Sequence, residues 1–200
     1  MSNIKNVVFD LGSVILRKNA ASTLIKIVSD QNDYQELLRF FDYTLELDLG
    51  TKTLKERFED CHFNKDLYKY KDNIITYYKL RDYNEDLLNL ISTLKQHNYH
   101  VYVLSDNNSD VANYYPQDPT FSNVDGWVFS CDFGTIKKDG ILFDLFVNKY
   151  NLKPEECYFI DDKEENIKAC EEHGLIGYQF NEKDDINKLL NDMKDKGINI

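Results

Sequence analysis

The sequence has no run approaching the 18 or more consecutive apolar residues of a membrane-spanning helix, so no such span is expected. Only 3 prolines and 8 glycines in 200 residues exclude collagen-like or linker-rich organisation. The four cysteines, Cys61, Cys131, Cys157 and Cys170, form no CxxC pair and no zinc-type spacing. Free, reduced thiols and a cytoplasmic location are therefore expected. Basic side chains are the minority, 24 against 35 acidic ones, for a net charge of −11. This argues against nucleic acid and anionic membranes as partners, because a phosphate-backbone footprint is basic. A small phosphorylated ligand remains compatible, since local charge or a bound cation overrides the global field. The opening MSNIKNVVFDLGSVIL is interrupted by Asp10 and lacks a small-residue cleavage site, so no secretory signal is expected. Repeats and low-complexity tracts are absent as well.

What is present is a composition of 42% hydrophobic and 30% charged residues, that of a globular chain. At this length such a chain buries roughly 70% of its unfolded surface. Val7 to Asp10 reads as a short buried strand ending in an acid, followed by Gly12 and Ser13. From about residue 18 to 80, apolar residues such as Leu24, Val28, Leu37, Phe41, Leu54 and Phe58 recur at helical spacing. Asn32 and Asp33 suit a helix start, Gly50 a break, and Thr53 with Glu56 a capping box. A stretch near Tyr77 and Tyr78 is the one strand-like run there. Beyond Arg81 helices and strands alternate: helix 85–96, strand 100–104, strand 126–130, helix 141–150, strand 157–160, helix 164–173, strand 176–180 and helix 184–194. Short strands separated by helices predict an α/β fold with a parallel, doubly wound sheet. In such sheets ligands bind beyond the carboxyl ends of the strands.

Those ends carry Asp10 with Ser13, Ser105 with Asp106, and Asp161 with Asp162; Lys137 follows a fourth strand. Three carboxylates drawn together repel strongly in a low dielectric and call for a positive partner. No His or Cys lies beside them, so the donor set is oxygen and the cation implied is a hard one such as Mg²⁺. A Lys and a Ser hydroxyl on the same rim suit a phosphoryl group, and an Asp there is a fit nucleophile.

In order, FDLGSVIL (Phe9 to Leu16), VYVLSDNN (Val101 to Asn108), SCDFGTIKK (Ser130 to Lys138) and FIDDKEEN (Phe159 to Asn166) resemble the four motifs of the haloacid dehalogenase-like hydrolase superfamily. The likeness is to its small phosphatase-like members with a helical cap. The resemblance implies a Rossmann-like three-layer core at 1–14 and 83–200, with a helical cap inserted at 15–82. It implies hydrolysis of a small phosphorylated metabolite, such as a sugar phosphate, through an aspartyl-phosphate. By match, Asp10 is the nucleophile. Mg²⁺ is held by Asp10, the Gly12 carbonyl and Asp162, with Asp161 in the same metal site and, like Asn166, in support. Lys137 neutralises Asp10 and the phosphate, Ser105 holds a phosphate oxygen, and Asp106 is a second candidate substrate contact.

Two departures stand out. Most phosphatases of the superfamily carry an acid–base Asp two residues after the nucleophile, where this chain has Gly12. General acid–base help is worth about 10²–10⁴ in rate. The expected consequences are a slower enzyme, restriction to good leaving groups, or a proton source elsewhere, such as the cap. A Pro usually follows the motif-three Lys; Lys138 stands there and competes with Lys137 for its role. The alternatives are a binding or regulatory protein with lost catalysis and a haloacid dehalogenase, the latter disfavoured by the Asp161–Asp162 pair. His62, His97, His100 and His173 are scattered and read as structural; Tyr68, Tyr70, Tyr77 and Tyr78 read as cap packing. Arg17 and Lys18 are candidate anion contacts at the cap hinge. A monomer is expected.

Overall fold

The computed structural model describes residues 4–17, 28, 32–35, 37, 45–59, 70 and 80–200. Its centre is a five-stranded, wholly parallel sheet: β1 (Asn6–Phe9), β2 (His100–Ser105), β3 (Gly126–Phe129), β4 (Cys157–Asp161) and β5 (Ile176–Gln179). The strand order is β3-β2-β1-β4-β5. Strand β1 is buried throughout, which is why Val7, Val8 and Phe9 form an unbroken apolar run rather than an alternating one.

Side-chain alternation along the strands divides the core into two apolar layers. Val7 and Phe9, Val101 and Val103, and Tyr158 and Ile160 pack to one side with Leu87, Leu90, Ile91 and Leu94 of α3 (Glu85–Gln96). Leu189 and Met193 of α7 (Ile186–Asp195) complete that layer. Val8, Leu104 and Phe159 face the other side, against Leu142, Phe143 and Phe146 of α5 (Ile141–Tyr150). Ala169 and Cys170 of α6 (Glu164–Glu172) join them. The result is the expected three-layer α/β/α core.

The helices begin and end where local chemistry directs. Leu87, Leu90, Ile91 and Leu94 recur at the spacing that gives α3 one buried face. Asp185 caps α7 by accepting the Asn187 N–H at 2.9 Å. Helix α6 is followed by Gly174, whose φ of +85° suits a residue without a side chain just past a helix end. One helix escapes the sequence pattern, α4 (Ser109–Tyr114), capped by the Asn108 side chain on the Asp110 and Val111 N–H groups. Asn and Asp favour turns and N-caps for the same reason, a side-chain oxygen that reaches nearby N–H groups, so a turn is the natural reading of SDNNSD.

In the segment expected to be helical, residues 32–35 are helical. So are α1 (Leu45–Asp48) and α2 (Leu54–Glu59). The capping box at α2 is present: Thr53 Oγ1 accepts the Glu56 N–H at 3.1 Å, and Glu56 Oε2 accepts the Thr53 N–H at 2.8 Å. Gly50 breaks the chain with φ +67°. Tyr70 is buried and donates to Asp33 Oδ2 at 2.7 Å. Leu24, Phe41, Lys18, Cys61, His62, Tyr68 and the strand-like stretch at Tyr77 and Tyr78 lie outside the described residues. The chain leaves the sheet and returns to it side by side: Leu16 bridges Tyr83, and the Arg17 N–H donates to the Asp82 carbonyl at 2.8 Å. Among the described residues, no helix is long and apolar enough to cross a membrane, and Cys131, Cys157 and Cys170 are free thiols.

Candidate active site

Parallel register builds the site. Phe9 pairs with Val103 of β2 and Ile160 of β4, so the next residue, Asp10, falls level with Asp161 and close to Ser105. The Asp10 N–H donates to the Ile160 carbonyl at 2.8 Å, fixing that level. The chain then turns tightly, with the Leu16 N–H on the Leu11 carbonyl at 2.8 Å and Ser13 held at φ +62°. That conformation is unusual for a side-chain-bearing residue and places a bend directly beside Gly12.

Lys137 is the hub. It begins a single 3-10 turn, Lys137–Asp139, and is only 1% exposed. Its Nζ bonds Asp10 Oδ1 at 2.8 Å and also donates to Asp161 Oδ2. Its backbone N–H donates to Asp106 Oδ1 at 2.9 Å. Lys138 is exposed, and of the two lysines Lys137 is the one turned toward Asp10. Asp161 is wholly buried and its oxygens are engaged: Asn166 Nδ2 donates to both at 3.0 Å, and the Lys163 N–H donates to Oδ1 at 2.8 Å. Asp162 is half-buried. Ser105 is buried, accepts from Asn107 Nδ2 at 3.1 Å, and its hydroxyl favours the charged form of Asp10.

The structure thus brings Asp10, Ser105, Lys137, Asp161 and Asp162 together. Asp106 sits beneath the lysine turn as a backbone anchor. Arg17 is taken up at the return strand, with Nε on the Tyr83 carbonyl at 3.1 Å and a guanidinium nitrogen 3.3 Å from Glu182. Sequence reasoning assigned no role to Ser130, the first residue of SCDFGTIKK, which is buried beside the site with its hydroxyl on the Asn107 N–H and the Asp48 carbonyl. It also missed the Lys163 N–H, a backbone group that no sequence pattern reveals.

Electrostatics make the site receptive to a cation. Ligand atoms of Asp10, Asp161 and Asp162 all lie within 4.8 Å of one another, and one ammonium does not balance three carboxylates. Burial pushes the Asp10 carboxyl well above its usual range, opposed by Lys137 and reinforced by Asp161. Burial likewise raises Asp106 against the pull of Lys137. For Lys137, burial works against the charge, yet Asp10, Asp161 and Asp106 outweigh it and hold the ammonium protonated. An all-oxygen, acid-rich donor set fits a hard divalent ion rather than a soft one. Asp10, Asp161 and Asp162 are the group of described residues that could hold such an ion. Beside Asp162 opens a polar pocket of about 660 Å³ lined by Ser13, Gln179, Asn181 and Glu182.

A family model described as haloacid dehalogenase-like hydrolase matches residues 4–174. The chain belongs to this hydrolase family. The match covers all four strand-end clusters. Over 192 residues the chain is 27% identical to a D-ribitol-5-phosphate phosphatase of Bacteroides thetaiotaomicron, covering 88% of this chain and 91% of that protein. A shorter likeness, 36% over 75 residues, is to flavin mononucleotide hydrolase 1 of Arabidopsis thaliana, described as chloroplast-located; it covers 37% of this chain and 29% of that protein. Among solved structures, a family enzyme of Bacteroides thetaiotaomicron in complex with magnesium and inorganic phosphate superposes with a TM-score of 0.69 at 22% identity. That superposition covers 93% of this chain and 98% of the other.

A metal ion needs the charged carboxylate, whereas metal-free Asp10 keeps its proton above the ordinary carboxylate range, so metal binding expels that proton. Mg²⁺ affinity is expected to rise with pH through mildly acidic values and level off once Asp10 is ionised. Calorimetric titration at pH 6, in two buffers of different ionisation heat, should give buffer-dependent heats that Asp10→Asn removes. Heats independent of buffer in the unmodified protein would show that Asp10 is already ionised.

Proposed function

We propose that this hydrolase is a Mg²⁺-dependent phosphatase acting on a small phosphorylated metabolite such as a sugar or polyol phosphate. The carrying observation is Lys137 Nζ, buried between Asp10 and Asp161, with Ser105 and Asp162 converging on the same strand ends. The likeness to a phosphatase along most of the chain supports the same reading. We also read the excursion between Leu16 and Tyr83 as an inserted helical cap, supported by the side-by-side exit and return of the chain and by helices α1 and α2.

In this reading an Asp10 carboxylate oxygen attacks phosphorus, and the bond from phosphorus to the leaving-group oxygen breaks with its electron pair on that oxygen. Water then attacks phosphorus in the aspartyl-phosphate, releasing phosphate and regenerating the carboxylate. Lys137 holds Asp10 in place and offsets negative charge as it moves onto the phosphoryl oxygens. Ser105 offers a hydroxyl proton to one of those oxygens. Asp10, Asp162 and the Gly12 carbonyl would hold Mg²⁺, which supplies positive charge against the phosphoryl group. Asp161, with Asn166 and the Lys163 N–H around it, keeps the lysine oriented.

The leaving oxygen needs a proton, and Gly12 cannot give one. A Cβ at Gly12 would meet nothing within 4 Å, and its backbone is not in the left-handed region, so neither crowding at Cβ nor backbone strain opposes a side chain there. Gly12→Asp is expected to raise kcat on alkyl phosphates such as sugar phosphates by up to about 10²-fold, the lower end of general-acid help. Turnover of an activated aryl phosphate, which leaves unassisted, should hardly change. A panel of both classes, assayed with Mg²⁺ and with chelator, tests the function and this point together. No phosphate release from any of them in folded, Mg²⁺-supplied protein would contradict the phosphatase reading. A Gly12→Asp gain equal on both classes would contradict the proton-donor argument.

A further inference from the structure

Ser130 opens the segment that carries Lys137 and has no role assigned above, yet it is fully buried and polar. It follows the last residue of β3. Its hydroxyl accepts the Asn107 backbone N–H at 3.0 Å and donates to the Asp48 carbonyl at 2.6 Å. Asp48 ends α1, in the excursion between Leu16 and Tyr83. Asn107 in turn donates its side-chain amide to Ser105 Oγ at 3.1 Å. A serine hydroxyl has one proton and two acceptor sites. With the amide donating to Ser105 Oγ, the Ser105 proton is directed elsewhere, toward Asp10 or an incoming phosphoryl oxygen. A continuous polar line therefore runs from the α1 carbonyl through Ser130 and Asn107 to Ser105.

A second contact seats the same turn independently. Gly50, at φ +67°, lies so close to the backbone of Cys131 that an added Cβ would stand 2.2 Å from the Cys131 carbonyl oxygen. Nearby, a Cβ on Gly134 would come 3.9 Å from the Leu49 carbonyl. The turn 48–50 rests directly on segment 130–134, and three residues past that segment comes Lys137. The Ser130 carbonyl accepts the Phe133 and Gly134 N–H groups at 3.1 and 3.0 Å, holding the segment in one shape.

We propose that Ser130 is a positioning residue that couples the seating of the α1 turn on the core to the orientation of Ser105. The proposal rests on the phosphatase reading. When the turn is seated, the Ser130 proton goes to Asp48, its oxygen fixes Asn107, and Asn107 orients the Ser105 hydroxyl for the phosphoryl group. When the turn lifts, the hydroxyl loses its nearest acceptor, the alternative being the Asn107 carbonyl at 3.4 Å, and the line to Ser105 slackens. Catalysis is thereby favoured with the turn at Asp48–Gly50 seated on the core.

The test uses two variants that reach the same line from opposite ends. Ser130→Ala removes the hydroxyl; Gly50→Ala keeps every polar group and pushes the turn off Cys131 at an exposed position. Each is expected to lower kcat by about tenfold, the scale of one lost buried hydrogen bond, and to weaken inhibition by orthovanadate in proportion. The double variant should be little worse than either alone, because both break one coupling. Amide hydrogen exchange over residues 103–110 should quicken in both, a readout that needs no turnover. Wild-type kcat, vanadate inhibition and exchange in Gly50→Ala, or lower thermal stability with unchanged vanadate inhibition in both variants, would overturn the role. Failure of the unmodified protein to release phosphate is seen before any variant is made. It would remove the phosphatase reading, and the catalytic role of Ser130 with it.

Discussion

Asp10→Asn is expected to abolish turnover, by at least about 10⁴-fold in kcat, the scale seen when a covalent nucleophile is removed. The side chain is almost isosteric, so the Leu11 N–H at 2.7 Å and Lys137 at 2.8 Å keep an oxygen to bond. What disappears is the charged oxygen that attacks phosphorus. The fold should survive, since burial of Asp10 opposes its charge and a neutral amide carries no such cost. The measurement is steady-state phosphate release alongside thermal unfolding. A residual rate within tenfold of the unmodified protein would exclude Asp10 as nucleophile. Loss of rate together with loss of folding would require repeating the test with Asp10→Ser.

Lys137→Met should have the largest effect on stability. Methionine fills much the same volume but leaves Asp10 and Asp161 buried against each other with no ammonium between them. Removing one partner of a buried ion pair typically costs 3–5 kcal/mol. For a chain of this size that corresponds to a fall in Tm of roughly 6–20 °C. The loss should depend on pH in a definite direction. Lys137 is what opposes the upward push of burial on Asp10, so without the lysine the Asp10 carboxyl rises further in the folded state, while its unfolded value stays ordinary. Between those limits the folded state binds more protons, so stability falls as pH rises. The Tm gap between variant and wild type is therefore expected to be small near pH 5 and wide near pH 8, with added Mg²⁺ recovering part of it. A gap that does not change with pH would show that the lysine acts through packing alone.

Much of this arrangement can be read in the amino-acid sequence because it depends on local pattern. Val7–Phe9 and Val101–Leu104 are apolar runs too short for helices, and the residues just beyond them are polar, so the strand ends and their clusters stand out. Helices 85–96 and 141–150 fall where the pattern puts them, since each has a clear apolar face and a definite stop. Other features depend on pairings between distant residues. Whether Lys137 or Lys138 turns inward is set by the 3-10 turn and by Asp106 taking the Lys137 N–H, a contact across 31 positions. Ser130 gains its importance only because Asp48, 82 positions earlier, comes to rest on it. The engagement of Asp161 by three separate donors could not be inferred from two adjacent acids. Gly12, by contrast, is plain in the sequence, and the structure adds that the space beside it is open.

Chemical trapping of the intermediate tests the central claim most directly. Borohydride reduces an acyl phosphate to the alcohol, so an aspartyl-phosphate becomes homoserine at that position. Protein turning over a sugar phosphate or an aryl phosphate with Mg²⁺ would be quenched into borohydride, digested, and the peptide containing residue 10 examined by mass spectrometry. Homoserine at position 10, absent with chelator and absent without substrate, is the predicted result. Brisk Mg²⁺-dependent phosphate release with homoserine at another aspartate, and none at position 10, would contradict it.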